Sequence, residues 1–157
     1  MGTAPRTILT LRLADAHRVE RHGLLVLQGI SANRALPFHV RDRSELHHVE
    51  TEAQLKRIDE ALELLSPTLA ARLATAAWDA PVRTPGLADW TRLEAREIDA
   101  YAALMPYVRH ADVPALATDC AAALDLQRSV LHWLESLADP ALSRAGPAFE
   151  PPHSAMT

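Results

Sequence analysis

Four stretches of helical period dominate the chain, and each carries polar side chains inside its apolar stripe. Few folds tolerate that placement. A carboxylate turned into a helical core loses its hydration and needs a compensating partner. In the first stretch, Glu20 lies seven residues after Leu13, four before Leu24 and seven before Leu27. In the second, Glu50 follows Leu46 by four and precedes Ile58 by eight, with His47 one turn before it. In the third, Glu94 and Glu97 sit between Trp90 and Tyr101, and in the fourth Gln127 sits between Leu124 and Leu131. His17 falls one turn before Glu20 on nearly the same side.

The apolar positions define the helices. Leu13, Ala16, Leu24 and Leu27 predict a first helix from Thr7 to about Ala32, with Gly29, Ser31 and Asn33 weakening its end and Pro37 terminating the stretch. Asp42 or Ser44 is the expected cap of a second helix running to about Leu65, its inward face made by Leu46, Ala53, Ile58, Ala61 and Leu65. Ser66-Pro67 opens a short helical or irregular connection through about Trp78, and Asp79 to Gly86, with two prolines and a glycine, is a loop. Leu87, Trp90, Tyr101, Leu104 and Val108 predict a third long helix to about Arg109, with Pro106 ending or kinking its last turn. Asp112 as cap and Pro114 in the first turn open the fourth, whose stripe is Leu116, Cys120, Leu124, Leu131, Leu134 and Ala138. These four predict an all-α antiparallel four-helix bundle over residues 1–138, followed by a Pro-rich, flexible tail over 139–157.

Composition narrows the function classes. The chain has 157 residues, 48% of them hydrophobic and 23% charged, enough for one globular domain. Only 4% are aromatic, which favours helix over strand. The net charge of −4 with interleaved signs leaves no basic stripe for nucleic acid. No apolar run is long enough to cross a bilayer, and Arg12, Asp15 and His17 interrupt any signal-type segment. A single cysteine, Cys120, excludes an internal disulfide and a thiolate metal site, and suits a reducing cytoplasm. It reads as a small core hydrophobe, as Trp90 and Trp133 read as core anchors. Most of the eight histidines, including His17, His22, His48 and His110, read as surface residues. No Gly-rich phosphate loop or Ser/His/Asp arrangement appears, so no catalytic residue is assigned.

Glutamates converging at one level of a helical core, with a histidine one turn away, are the donor set of a carboxylate-bridged metal centre. Glu20, His47, Glu50, Glu94, Glu97 and Gln127 are therefore the candidate metal residues, for iron or manganese. Tyr101 is a candidate hydrogen-bond donor behind them. Gln127 offers a neutral carbonyl oxygen and cannot bridge two cations as a carboxylate does. A single ion held by Glu20, His47, Glu50 and Glu97 is the simpler arrangement. The metal-free alternative is a buried network in which the acids pair with His47, His17, Arg57 or Tyr101.

At these same residues the chain resembles the bacterial stress-associated ferritin-like proteins of the YciE/YciF type. The resemblance rests on Asp15-Ala16-His17-Arg18-Val19-Glu20; on His47, Glu50, Thr51, Gln54, Arg57 and Ile58; on Glu94, Glu97, Ile98, Tyr101 and Leu104; and on Cys120, Leu124 and Trp133-Leu134. It covers roughly residues 8–138, and departs at Gln127, where the family has Glu nearby. It implies a ferritin-like bundle, usually dimeric, with a di-metal centre and a role in stress response. If redox-active, the centre would act on oxygen or peroxide. The competing expectation is a metal-free bundle that serves as a protein-interaction module through its outer faces and Pro-rich tail.

Overall fold

The computed structural model describes residues 3–77, 84–109, 111–113 and 115–138. Among them are five helices and no strand: α1 (Thr3–Ala32), α2 (Phe38–Leu65), α3 (Pro67–Thr75), α4 (Leu87–Val108) and α5 (Leu116–Ala138). Trp78, His110, Pro114, most of the Asp79 to Gly86 loop and the 139–157 tail lie outside the described residues.

Helix ends follow local chemistry. After α1, the Asn33 side chain accepts a hydrogen bond from the Ala35 amide (3.1 Å), an Asx turn that reverses the chain. The second helix begins at Phe38, ahead of the expected caps at Asp42 or Ser44. The Pro37 carbonyl already accepts from the Val40 and Arg41 amides, so α2 starts on backbone bonds and has no side-chain cap. At α4, the Asp89 carboxylate accepts from the Gly86 amide (2.8 Å), and Pro106 is accommodated within the last turn.

The four long helices close a ring of contacts, with α1 against α2 and α4, and α5 against α4 and α2. Neighbours run antiparallel. Arg6 at the start of α1 reaches the Leu65 carbonyl at the end of α2, and Asn33 after α1 reaches the Pro85 carbonyl before α4. Gln127 of α5 meets Gln54 of α2, while Arg57 meets Asp119. Consequently α2 and α4 point the same way, and the connection between them joins opposite ends of the ring. α3 covers the first part of that distance, held to α1 by Arg21, which donates to the Leu73 and Ala76 carbonyls (3.0 and 3.1 Å).

The apolar core divides in two. One cluster gathers Leu9, Leu13, Ile58, Leu62, Leu104 and Leu116; the other gathers Leu27, Ile30, Val40, Trp90, Val130 and Trp133. Between them every long helix turns polar side chains inward: Glu20 from α1, Ser44, His47, Thr51 and Gln54 from α2, Glu94 and Glu97 from α4, and Gln127 from α5. In the middle of α2 the inward face is therefore not the one its apolar residues mark. Leu46 is 52% exposed and Ala53 is also exposed, because polar residues occupy the inner positions at that level. Ile58 and Ala61 do face inward, Leu65 is half-buried, and on α5 Leu131 is half-buried and Ala138 exposed.

Candidate metal centre

The inner polar layer has its centre at His47, Glu94 and Glu97. One ligand atom from each lies within 4.8 Å of the others, and all three side chains are buried. No other such group of histidine, cysteine or acidic side chains occurs among the described residues. His47 Nε2 is 3.0 Å from Glu94 Oε1. On the opposite side of the ring, His47 Nδ1 is 2.8 Å from Glu50 Oε2. The Arg43 guanidinium donates twice to that same oxygen, at 3.0 Å each. Glu50 is 24% exposed and stands outside the central group. It orients the imidazole from behind, as a carboxylate does for a metal-ligating histidine.

Glu94 Oε1 also accepts the Trp90 indole N–H at 2.6 Å, and the Trp90 ring stacks on His47 with centroids 6.1 Å apart. Two side chains of the cluster are thus held by one aromatic ring. Glu20 is buried beside the cluster, and its Oε1 accepts the Tyr101 hydroxyl at 2.6 Å. Gln127 faces the layer, but its amide donates to Gln54 Oε1 at 3.0 Å. Arg57 pairs with Asp119 (3.8 Å) near the surface, away from the buried acids. His17, expected on the surface, is buried, with Nε2 3.1 Å from Asp59 Oδ1.

Glu97 differs from the other acids. Neither of its carboxylate oxygens has a hydrogen-bond partner, and Glu20 Oε2, Glu94 Oε2 and Gln127 Oε1 are also unpartnered. Space for the Glu97 carboxylate comes from Gly23. A Cβ at that position would lie 2.7 Å from Glu97 Oε1, and α1 admits the glycine although it weakens a helix by about 1 kcal/mol relative to alanine. An isolated glycine in a helical pattern gives no sign of which side chain approaches it, so the sequence alone does not single out Gly23.

The electrostatics follow from crowding and burial. Burial, then the neighbouring Glu20 and Glu94, push the Glu97 carboxyl well above the ordinary carboxylate range. Burial raises Glu20 to about 8 against the opposing Tyr101 hydrogen bond and His47 charge. Burial works against charge on His47, yet Glu94 and Glu50 outweigh it and hold the imidazole up at about 9. For Glu50, burial is outweighed by His47 and Arg43, which lower its pKa. Cys120, in the apolar cluster, is pushed by burial to about 12, which leaves an inert thiol.

This donor set fits a cation. Two acids and an imidazole converge in a buried layer with Glu20 buried beside them, and Glu97 Oε1 and Oε2, Glu94 Oε2 and Glu20 Oε2 have no hydrogen-bond donor. A bound divalent ion would offset the mutual repulsion of the carboxylates and displace the protons they otherwise hold. Compared with family models, curated proteins and solved structures, the chain matches none.

Proposed function

We propose that this protein is a ferritin-like four-helix bundle, of the type its motifs resemble, that binds a single iron or manganese ion in its inner polar layer. The observation that carries this reading is Glu97. Its carboxylate is fully buried, lacks a hydrogen-bond partner, and belongs to one group with His47 and Glu94. A purely structural network would be expected to satisfy that carboxylate with His47, His17, Arg57 or Tyr101. Those four are engaged with Glu94 and Glu50, with Asp59, with Asp119, and with Glu20 respectively. The ring of four helices with one long crossover between α2 and α4 is the connectivity of ferritin-like folds, which supports the bundle assignment.

His47 Nε2, Glu94 and Glu97 would hold the ion, with Glu20 as a fourth donor from α1. Glu50 keeps the Nδ1 proton of a neutral His47, so that the Nε2 lone pair turns into the cluster. Tyr101 fixes Glu20, and Trp90 fixes Glu94 and the imidazole plane. The two apolar clusters above and below exclude water. Charge favours one ion over two: α5 brings the neutral Gln127 where a second cation would need another carboxylate. When bound, iron or manganese supplies Lewis-acid and one-electron chemistry. A homodimer belongs to the same reading. Leu46 and Val49, one turn apart on the outer face of α2 and both more than half exposed, are apolar surface that a second copy would cover.

The test is metal analysis of protein purified without chelator from iron- or manganese-supplemented growth. Wild type should carry metal, and Gln127→Glu should carry more, because it adds a negative charge to the layer. Wild type and Gln127→Glu both emerging metal-free would end the metal reading in favour of the metal-free bundle.

A further inference from the structure

Three observations place a continuous aromatic path between the cluster and the outside of α5. The Trp90 indole N–H donates to Glu94 at 2.6 Å, its ring stacks on His47, and Trp133 meets its edge with centroids 5.6 Å apart and planes at 65°. Trp90 is fully buried, whereas Trp133 retains a small accessible edge, 6% of its surface. Indole is among the most readily oxidised side chains, and electron tunnelling falls off exponentially with distance. Two rings in contact therefore carry a charge between a buried centre and the surface far faster than the aliphatic packing around them.

The Trp90 indole N–H is held on Glu94 Oε1 by the same short hydrogen bond, which fixes the inner ring against the cluster. From these contacts we infer that Trp90 and Trp133 form a one-electron path between the carboxylate–histidine cluster and the protein surface. In use, Trp90 gives one electron toward the cluster and recovers it from Trp133. A soluble one-electron donor refills Trp133 at the surface and is the species oxidised. An oxidised iron or manganese ion, if held by the cluster, would be the species reduced. This use rests on the metal reading above, but the path itself is a property of the chain.

The path is tested on metal-free full-length protein carrying Trp78→Phe, which removes the third tryptophan. A photogenerated ruthenium(III) polypyridyl complex with persulfate serves as the one-electron oxidant, and the radical is followed by freeze-quench EPR and transient absorption. The expected product is an indole-centred radical on Trp90. Adding Trp133→Phe should lower its yield by about an order of magnitude. A merely structural role for Trp90 would leave no radical on that ring. A yield indifferent to Trp133→Phe, or a radical confined to Trp133 and unchanged by Trp90→Phe, would overturn the path. Manganese titration of the same sample separates the two claims: uptake without radical migration overturns the path alone, and migration without uptake keeps the path while removing the metal reading.

Discussion

Gly23 and Glu97 are one structural unit, although they lie on different helices and far apart in sequence. An ideal Cβ at Gly23 would stand 2.7 Å from Glu97 Oε1, with the Leu93 methyls close behind. Gly23→Ala should therefore destabilise the protein despite the better helix propensity of alanine. Overpacking costs typically about 1–3 kcal/mol, against about 1 kcal/mol gained in the helix. Thermal unfolding followed by circular dichroism reads the sign, and an increase in Tm would show that Glu97 does not fill the space. Glu50 makes the complementary case. It touches His47 from outside the central group and is partly exposed. Glu50→Gln should leave the fold intact yet weaken manganese affinity about 10- to 100-fold, as loss of an orienting partner behind a histidine ligand does. Isothermal titration with unchanged affinity would remove Glu50 from that role.

At the scale of the helix, α2 changes character along its length: its two ends bury apolar side chains, whereas its middle turns polar ones inward. Ile58 is 2% exposed, inside the lower core cluster, whereas Leu46 and Val49 face outward. Ile58→Ala should cost about 2–5 kcal/mol in denaturant unfolding. Leu46→Gln with Val49→Gln should cost each chain less than about 0.5 kcal/mol per site while shifting light scattering toward monomer. A large loss of stability from the second pair in a protein that stays monomeric would place those side chains inside. The same helix marks where the sequence stops being legible. Apolar periodicity locates α1, α4 and α5 and places Glu20, Glu94, Glu97 and Gln127 in the core, because Leu and Ala flank those residues on the same stripe. In the middle of α2 the inner positions are Ser44, His47, Thr51 and Gln54, so there the apolar Leu46 and Val49 mark the outer face, while Ile58 and Ala61 keep the expected inward one. The role of Glu50 is hidden for a related reason. Its spacing from His47 fits either nitrogen of the ring, and only packing assigns it to Nδ1. α2 starts ahead of the expected cap because its first amides bond to the Pro37 carbonyl, which no side chain advertises.

For the molecule as a whole, the buried layer ties stability to pH and, on the proposed function, to metal. Glu20 holds its proton up to about 8 in the folded chain, and Glu97 is shifted the same way; unfolded, both ionise in the ordinary carboxylate range, near 4.5. Between those limits the folded state binds more protons than the unfolded one, so stability falls as pH rises. His47 acts in the same direction: its contribution is complete below 6.5 and is lost as pH approaches 9. Metal-free protein should thus lose stability steadily from about pH 5 to pH 8, as urea midpoints would show, and a flat or rising midpoint would contradict the assigned shifts. Metal binding runs the other way, because it requires these groups to release their protons. The measurement that bears most directly on the central claim is titration of metal-free protein with manganese at pH 8, monitored by loss of the free-ion EPR signal, in wild type and in Glu97→Gln. The expected result is one tightly bound ion per chain in wild type and loss of that binding in Glu97→Gln. Wild-type protein that leaves the manganese signal undiminished, or Glu97→Gln that binds as tightly as wild type, would contradict the account.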